Sequence, residues 1–344
     1  MLIQNPKTPK PQNPKTPYIA NSIGGIIINM KAVAALAILS ILAVGVFYMS
    51  SSPSSAVEGQ FRDFLEVHSA SYGTSEEYAY RLSVFESNLK LIEKLNKLNP
   101  EATFAVNKFA DRTPEEMSRL RGYRGGKQTN KVHVSPVNAQ SVDWTDMWTS
   151  VKDQKACGSC WAFSATAGFE SRYALNSGAK KVSKLFAEQE LVDCDPQSDG
   201  CDGGLMTYAF EYLEENGFCL ESQYPYTARD GTCKASSLCG SGPMDKAYVE
   251  LPSGNEDKLL SELANGPVSV AVDAETWSFY SGGILSSCYD DLDHGVTLVK
   301  YDASENSVTI RNSWGSSWGE KGYIRLKVGQ DTCGYADDAS YPTY

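Results

Sequence analysis

Apolar positions along the chain fall into three regimes. The first is an unbroken apolar run, Ala32–Met49, preceded by Lys31 and followed by the small-residue stretch Ser50–Ala56. Its eighteen residues are at the lower limit for crossing a bilayer, and its positive flank is N-terminal. It reads either as a signal anchor or, if Met30 is the start, as a cleaved signal ending near Ser54-Ser55-Ala56. A buried core helix would need a polar face, which the run lacks. Either reading delivers the remainder of the chain to a lumen. Ahead of the run, residues 1–31 form a tail whose first 22 residues are rich in Pro, Asn, Lys and Thr, a composition that predicts extended, unstructured chain.

The second regime, from Phe61 to about Met117, is helical. Phe61, Phe64, Leu65, Leu82, Phe85, Leu89 and Ile92 recur at three- and four-residue steps. Glu77, Arg81, Phe85, Asn88, Ile92 and Asn96 share one helical stripe, on which Glu77 and Arg81 are spaced to pair. Asn107, Phe109 and Asp111 then alternate, as in an extended segment. The stretch Gly122–Asn138 has Gly, Lys and Pro without periodicity and reads as a linker.

The third regime mixes periods. A largely apolar helix is predicted from Cys160 to about Leu175, with Gly178 as its stop. Val268–Val272, Val296–Val299 and Ser307–Ile310 read as strands.

Charge and cysteine divide the chain at the same place. Residues 1–134 carry 16 Lys/Arg against 11 Asp/Glu, a net +5, while residues 135–344 carry 15 against 31, a net −16. An acidic body argues against nucleic acid as a partner, because phosphate binding needs clustered cations. Hydrophobic residues at 42% exclude a wholly disordered chain. All nine cysteines lie from Cys157 onward, which points to disulfides in an oxidising compartment and leaves one thiol over. No Asn-X-Ser/Thr sequon occurs, so N-glycosylation is not expected.

The chemistry concentrates at Gln154-Lys155-Ala156-Cys157-Gly158-Ser159-Cys160-Trp161. Cys160 is expected at a helix N-terminus, where unpaired amides and the dipole stabilise a thiolate. A thiolate needs a base that later protonates an amine leaving group. After residue 133 the sequence has a single histidine, His294. Asn312, in Asn312-Ser313-Trp314-Gly315, supplies a carbonyl that can fix the imidazole tautomer, with an adjacent indole to keep water off that bond. Cys157 and Cys160 as a redox pair or zinc half-site are poorly supplied, since there is no second such pair and only one local histidine.

These motifs, together with the Cys201-Asp202-Gly203-Gly204 turn, resemble the papain family of cysteine proteases, cathepsin L-like branch, from about Phe61 to Tyr344. The resemblance implies an α+β papain-like two-domain fold: a helical left domain (138–250), a β-barrel-like right domain (251–344) and an α-helical inhibitory propeptide (57–133). It implies Cys160 as nucleophile, His294 as acid/base, Asn312 as its orienting residue and Gln154 as an oxyanion donor with the Cys160 amide. Substrate contacts are expected from Gly203, Gly204, Leu205, Met206, Ala271, Leu292, Asp293, Gly295, Trp314 and Asp338. The family pattern implies the disulfides Cys157–Cys201, Cys194–Cys233 and Cys288–Cys333, which leaves Cys219 and Cys239 for a fourth and Cys160 free.

No cofactor or metal is implied. The expected partners are polypeptide substrates, the chain's own propeptide and cystatin-like inhibitors, with a monomeric mature form in a lysosome, vacuole or the extracellular space. The histidine-bearing insertion of exopeptidase relatives is missing, which favours an endopeptidase; the competing reading is a catalytically silent binding or storage relative. Three departures from the family stand out: Lys155 in place of a usual Gly, Ala105 in place of a Gly opening the second propeptide motif, and Ala187 in place of a Ser that would cap a helix. Asp338 is also unusual. It is either a solvated carboxylate beside Asp337 or an inward group that meets a substrate arginine.

Overall fold

In the computed structural model the three- and four-residue apolar steps of 61–92 lie on helices and the β-branched runs become strands, whereas Asn107–Asp111, expected as extended, fold into a turn. The structure describes residues 55–125, 139–148, 150–240, 242–289 and 291–344. The N-terminal tail, the apolar run 32–49 and most of the expected linker lie outside the described residues. Among the described residues no helix is long and apolar enough to cross a membrane.

The N-terminal segment expected to be a propeptide opens with helix α1 (Ser55–His68), which buries Phe61 and Phe64. Helix α2 (Ser75–Leu98) buries Leu82, Phe85, Ile92 and Leu95, and the Thr74 hydroxyl caps it by accepting from the Glu77 amide. Strand β1 (Ala102–Phe104) and the short helix α3 (Pro114–Ser118) complete it; α3 starts on a Thr113/Glu116 capping box. The polar members of the α2 stripe clasp the returning chain. Asn88 Nδ2 donates to the carbonyls of Ala110 and Arg112, and Asn96 exchanges hydrogen bonds with Phe104. The expected Glu77–Arg81 pair does not form. Arg81 makes a bidentate ion pair with Glu116 at 2.6 and 2.8 Å, because a planar guanidinium gains more from a fork-on-fork partner than from one helix turn away.

The body continues with β2 (Val142–Asp143) and then α4 (Cys160–Asn176), buried on nearly all faces. Helices α5 (Glu188–Cys194), α6 (Met206–Asn216) and α7 (Ala235–Leu238) follow, then β3 (Ala247–Glu250), α8 (Glu256–Leu263), β4 (Val268–Val272), β5 (Tyr280–Leu285), β6 (His294–Asp302), β7 (Ser307–Arg311), β8 (Tyr323–Lys327) and β9 (Ala339–Thr343). Ala187 sits at the N-cap of α5 and offers no side-chain cap.

The strands run in the order β1-β5-β8-β7-β6-β4-β9-β3, with β2 on β6. Residues 250 and 251 are therefore not a boundary between helix and sheet. Strands β2 and β3, from the helical half, pair with β6 and β9, and the propeptide adds β1 to the edge strand β5. Helix α4 is bolted to the sheet by Ser164 Oγ, which donates to Val296 O at 2.6 Å, and by Ser269 Oγ, which donates to Ser164 O at 2.9 Å. That seam fixes Cys160 against the first residues of β6.

Four disulfides join Cys157–Cys201, Cys194–Cys233, Cys219–Cys239 and Cys288–Cys333, and Cys160 is the free, buried thiol.

Candidate active site

Cys160 is the first residue of α4, so its sulfur lies where helix amides are unsatisfied. Two further amides converge on Sγ: Gly295 N–H at 3.3 Å, from β6, and Gly122 N–H at 3.1 Å, from the propeptide. His294 opens β6 opposite Val272, and its Nε2 meets Asn312 Oδ1 at 2.8 Å. Its other ring nitrogen, Nδ1, is buried without a hydrogen bond and is the nitrogen left to exchange a proton with the sulfur. The imidazole lies 4.9 Å from the Trp314 ring, which is itself fully buried. Trp314 thus shields the His294–Asn312 bond, and what covers it in turn is propeptide Phe109, edge-on at 5.7 Å.

Gln154 is rigidly held. Its amide donates to the carbonyls of Leu120 and Cys157, both at 2.8 Å, and its Oε1 accepts from Ser313 Oγ at 2.6 Å. The Ser313 hydroxyl thereby turns the Gln154 N–H toward the cleft. The loop beneath is pinned by Lys152, whose ammonium meets Glu188 at 2.7 Å and Glu170 at 3.3 Å. Lys155 adopts a left-handed φ of 54°, with its N–H held by Asp153 Oδ1. That conformation favours glycine, so the family departure at Lys155 keeps the backbone shape at the expense of strain.

The propeptide fills the cleft with Leu120–Arg124, a stretch that reads partly as linker in the sequence. Gly122 O accepts from the Gly204 amide at 2.8 Å, and Arg124 N–H donates to Gly204 O at 3.1 Å. Tyr123 N–H donates to Asp293 O, and its ring enters a pocket with Met206, Ala271 and Leu292. Gly203 is buried at φ 123°, and Gly295 leaves Met206 Sδ 3.0 Å from the Cβ it lacks. Leu205 is half-buried at the N-cap of α6. At the pocket's end the Tyr123 hydroxyl hydrogen-bonds Asp338 Oδ2, so Asp338 points inward. Asp293 Oδ2 receives Arg121 Nε at 2.5 Å, and its Oδ1 accepts from the Ala274 amide.

Sequence reasoning missed Leu120, Arg121, Tyr123 and Ser313. An extended segment laid over a cleft has no periodicity to read, and a serine beside Asn312 carries no signal of its own.

Electrostatics follow from sealing. Burial pushes the Cys160 thiol up to about 11, against the amides of Gly295 and Gly122 that favour the thiolate. Burial likewise takes His294 down to about 3, with Asn312 opposing. Covered by the propeptide, both groups are thus pushed toward their neutral forms. Asp293 is pushed up to about 6 by burial, against the Arg121 charge. Among the described residues, the cluster Glu190, Cys219 and Cys239 has metal-ligand proximity, but its two sulfurs are bonded to each other.

The sequence pattern "Papain family cysteine protease" matches residues 138–343, and "Cathepsin propeptide inhibitor domain (I29)" matches residues 61–117. Vignain of Ricinus communis is 41% identical over 291 residues, covering 76% of this chain and 79% of vignain. Digestive cysteine proteinase 3 of Homarus americanus is 42% identical over 296 residues, covering 79% and 90%. Among solved structures, digestive procathepsin L 3 of Tenebrio molitor larval midgut superposes with a TM-score of 0.73 at 36% identity, covering 85% of this chain and 100% of that one.

Proposed function

The chain belongs to the papain family of cysteine proteases, in zymogen form with a cathepsin-type propeptide, and on that premise we propose how its own residues carry out and restrain peptide hydrolysis. Cys160 Sγ gives its proton to His294 Nδ1 and attacks the substrate carbonyl carbon. The resulting oxyanion is met by the Gln154 side-chain amide and the Cys160 backbone N–H. His294 returns the proton to the leaving nitrogen, the C–N bond breaks, and a thioester remains on Cys160. Water, deprotonated by His294, then releases the acid and restores the thiol. Asn312 Oδ1 holds the imidazole through Nε2, which leaves Nδ1 to do the proton transfer.

The observation that carries the reading is the course of the propeptide. Its Leu120 carbonyl rests on Gln154, Gly122 lies on the sulfur, and Tyr123 fills the side-chain pocket. A substrate must place its pocket residue before the scissile carbonyl in sequence. Here the order is reversed, so the Leu120 carbonyl that meets Gln154 belongs to a chain running opposite to a substrate, and the segment inhibits without being cut. The pocket of Met206, Ala271, Leu292 and Gly295 suits Leu, Val or Phe, and Asp338 at its end suits a tyrosine hydroxyl or an arginine. Processing falls in the Gly122–Asn138 stretch, which has Gly, Lys and Pro without periodicity. The mature endopeptidase works in a lysosome, vacuole or outside the cell, on polypeptides, as a monomer open to cystatin-like inhibitors.

The test is hydrolysis of internal peptide bonds by acid-activated chain, compared with Cys160→Ala and Gln154→Ala. Loss of nearly all activity in the first and a drop of roughly 100-fold in kcat in the second are expected. Undiminished turnover in Cys160→Ala would overturn the assignment.

A further inference from the structure

The stretch Tyr224–Asp230 belongs to no helix or strand, yet it is fastened to α5 at several points. The Tyr224 hydroxyl donates to Asp193 Oδ2 at 2.6 Å, and the Thr227 N–H donates to Gln189 Oε1 at 2.8 Å. Gln189 Nε2 in turn donates to Arg229 O at 2.9 Å. The Cys194–Cys233 disulfide staples the far side of the stretch to the end of the same helix.

Tyr226 stands in the middle of this braced loop. Its ring meets Phe163 of α4 edge-on at 4.8 Å, and its hydroxyl lies 2.8 Å from Gln154 O and 2.6 Å from Ser159 Oγ. A carbonyl can only accept, so the single Tyr226 proton goes to Gln154 O, and the fully buried Ser159 must donate to the Tyr226 oxygen. The result is a one-way relay, Ser159 to Tyr226 to Gln154, in which each bond strengthens the next.

Both ends of the relay bear on the oxyanion hole. Ser159 supplies the carbonyl half of the peptide group whose N–H is the Cys160 donor, and the Phe163 N–H holds that carbonyl at 3.1 Å. Gln154 carries the other donor. Its own N–H donates to Ser313 O at 2.8 Å, while Tyr226 grips its carbonyl, so the backbone is held from both sides. That carbonyl belongs to the peptide leading into Lys155, whose φ of 54° favours glycine, and Tyr226 keeps this strained plane from turning. When the propeptide leaves, the Gln154 side chain loses Leu120 O, and its aim depends the more on where its backbone is held.

We propose that the Tyr226 hydroxyl sets the spacing of the Gln154 and Cys160 donors, making Tyr226 a positioning residue for oxyanion stabilisation. The inference rests on reading those two donors as the oxyanion hole. Packing against Phe163 asks only for a ring, so the hydroxyl is the part that the relay explains.

The test uses full-length chain activated in acid, with active sites counted by a thiol-directed epoxide. kcat and KM are measured on a peptide amide substrate for wild type, Tyr226→Phe, Gln154→Ala and the double variant. Phenylalanine keeps the ring and removes only the hydroxyl. Tyr226→Phe should lower kcat about tenfold and leave KM within about twofold, as expected for a donor moved off the transition state. In the Gln154→Ala background the same change should cost less than about twofold, because no side-chain amide remains to be placed. A peptide aldehyde, whose adduct puts an oxygen in the hole, should bind Tyr226→Phe about tenfold more weakly, while epoxide labelling of Cys160 stays within about twofold. A kcat within about twofold of wild type, an equal loss in both backgrounds, or a parallel fall in labelling overturns the proposal. If Tyr226→Phe does not fold, Ser159→Ala cuts the other end of the relay and must meet the same criteria. Undiminished kcat in Gln154→Ala alone, or a wild-type chain that takes up no epoxide, contradicts the underlying reading and takes the proposal with it.

Discussion

Replacing Gly122 by alanine should unseat the propeptide from the cleft. A Cβ at Gly122 would lie 1.8 Å from Gly158 O, 2.5 Å from its carbonyl carbon and 2.9 Å from its Cα, all backbone atoms that cannot rotate away. Contacts of this kind are comfortable near ~3.5 Å, so the chain must withdraw by roughly 1.5 Å. Withdrawal on that scale breaks Gly122 N–H to Cys160 Sγ at 3.1 Å and Gly204 N–H to Gly122 O at 2.8 Å. It also draws Leu120 O off Gln154, now at 2.8 Å. Three hydrogen bonds at about 1 kcal/mol each give ~3 kcal/mol, or roughly a 100-fold weaker hold on the cleft. The assay is the second-order rate at which a small alkylating agent modifies Cys160 in unprocessed zymogen at neutral pH. Gly122→Ala should react about 100-fold faster than wild type. The mature enzymes should be indistinguishable, because residue 122 has been removed. A zymogen rate within about threefold of wild type would refute the close approach of Gly122 to Gly158 as the source of the hold.

Three further outcomes follow from the same geometry. Asp338→Ala should lower the Arg/Leu ratio of kcat/KM about fivefold at neutral pH, where the carboxylate is charged; because Asp338 is raised by burial, the wild-type Arg preference should fade as pH drops, starting above the usual carboxyl range. Arg81 holds Glu116 down to about 2, from an ordinary 4.5, so its stabilisation is present above about pH 4.5 and lost as pH falls through that window. Discounted for partial exposure, Glu116→Gln should cost about 1 kcal/mol of zymogen stability at pH 6 and flatten its acid dependence, as read by thermal unfolding. Lys155→Gly should leave the melting temperature nearly unchanged or slightly raised, whereas Lys155→Val at φ 54° should lose about 2 kcal/mol; equal melting temperatures would contradict the strain at this position.

The candidate catalytic residues were legible because the chemistry proposed for them constrains their setting. Cys160 lies at a break between a turn and an apolar helix, and His294 is the only histidine in the body, so few alternatives compete. The α2 stripe was legible as a helix but not as a clasp. Its Asn88 and Asn96 bond to backbone carbonyls far along the chain, and Arg81 prefers Glu116 to Glu77 for the same long-range reason. The inward turn of Asp338 rests on tertiary hydrogen bonds, Tyr123 to its carboxylate and Ala271 N–H to its carbonyl, which nothing in the spacing of Asp337 and Asp338 reveals. The crossing of β2 and β3 into the sheet escaped notice because strands of two and four residues carry too little alternation to read.

The central claim is that Cys160, activated by His294 once the propeptide leaves, is the nucleophile. The most direct measurement is mass spectrometry of acid-activated chain after treatment with a thiol-directed epoxide, in wild type and His294→Ala. One adduct per chain, located at Cys160 and formed in step with loss of activity in wild type, with labelling slowed roughly 100-fold or more in the variant, is the predicted result. Full activity with Cys160 unmodified, or an adduct on another residue, would contradict it.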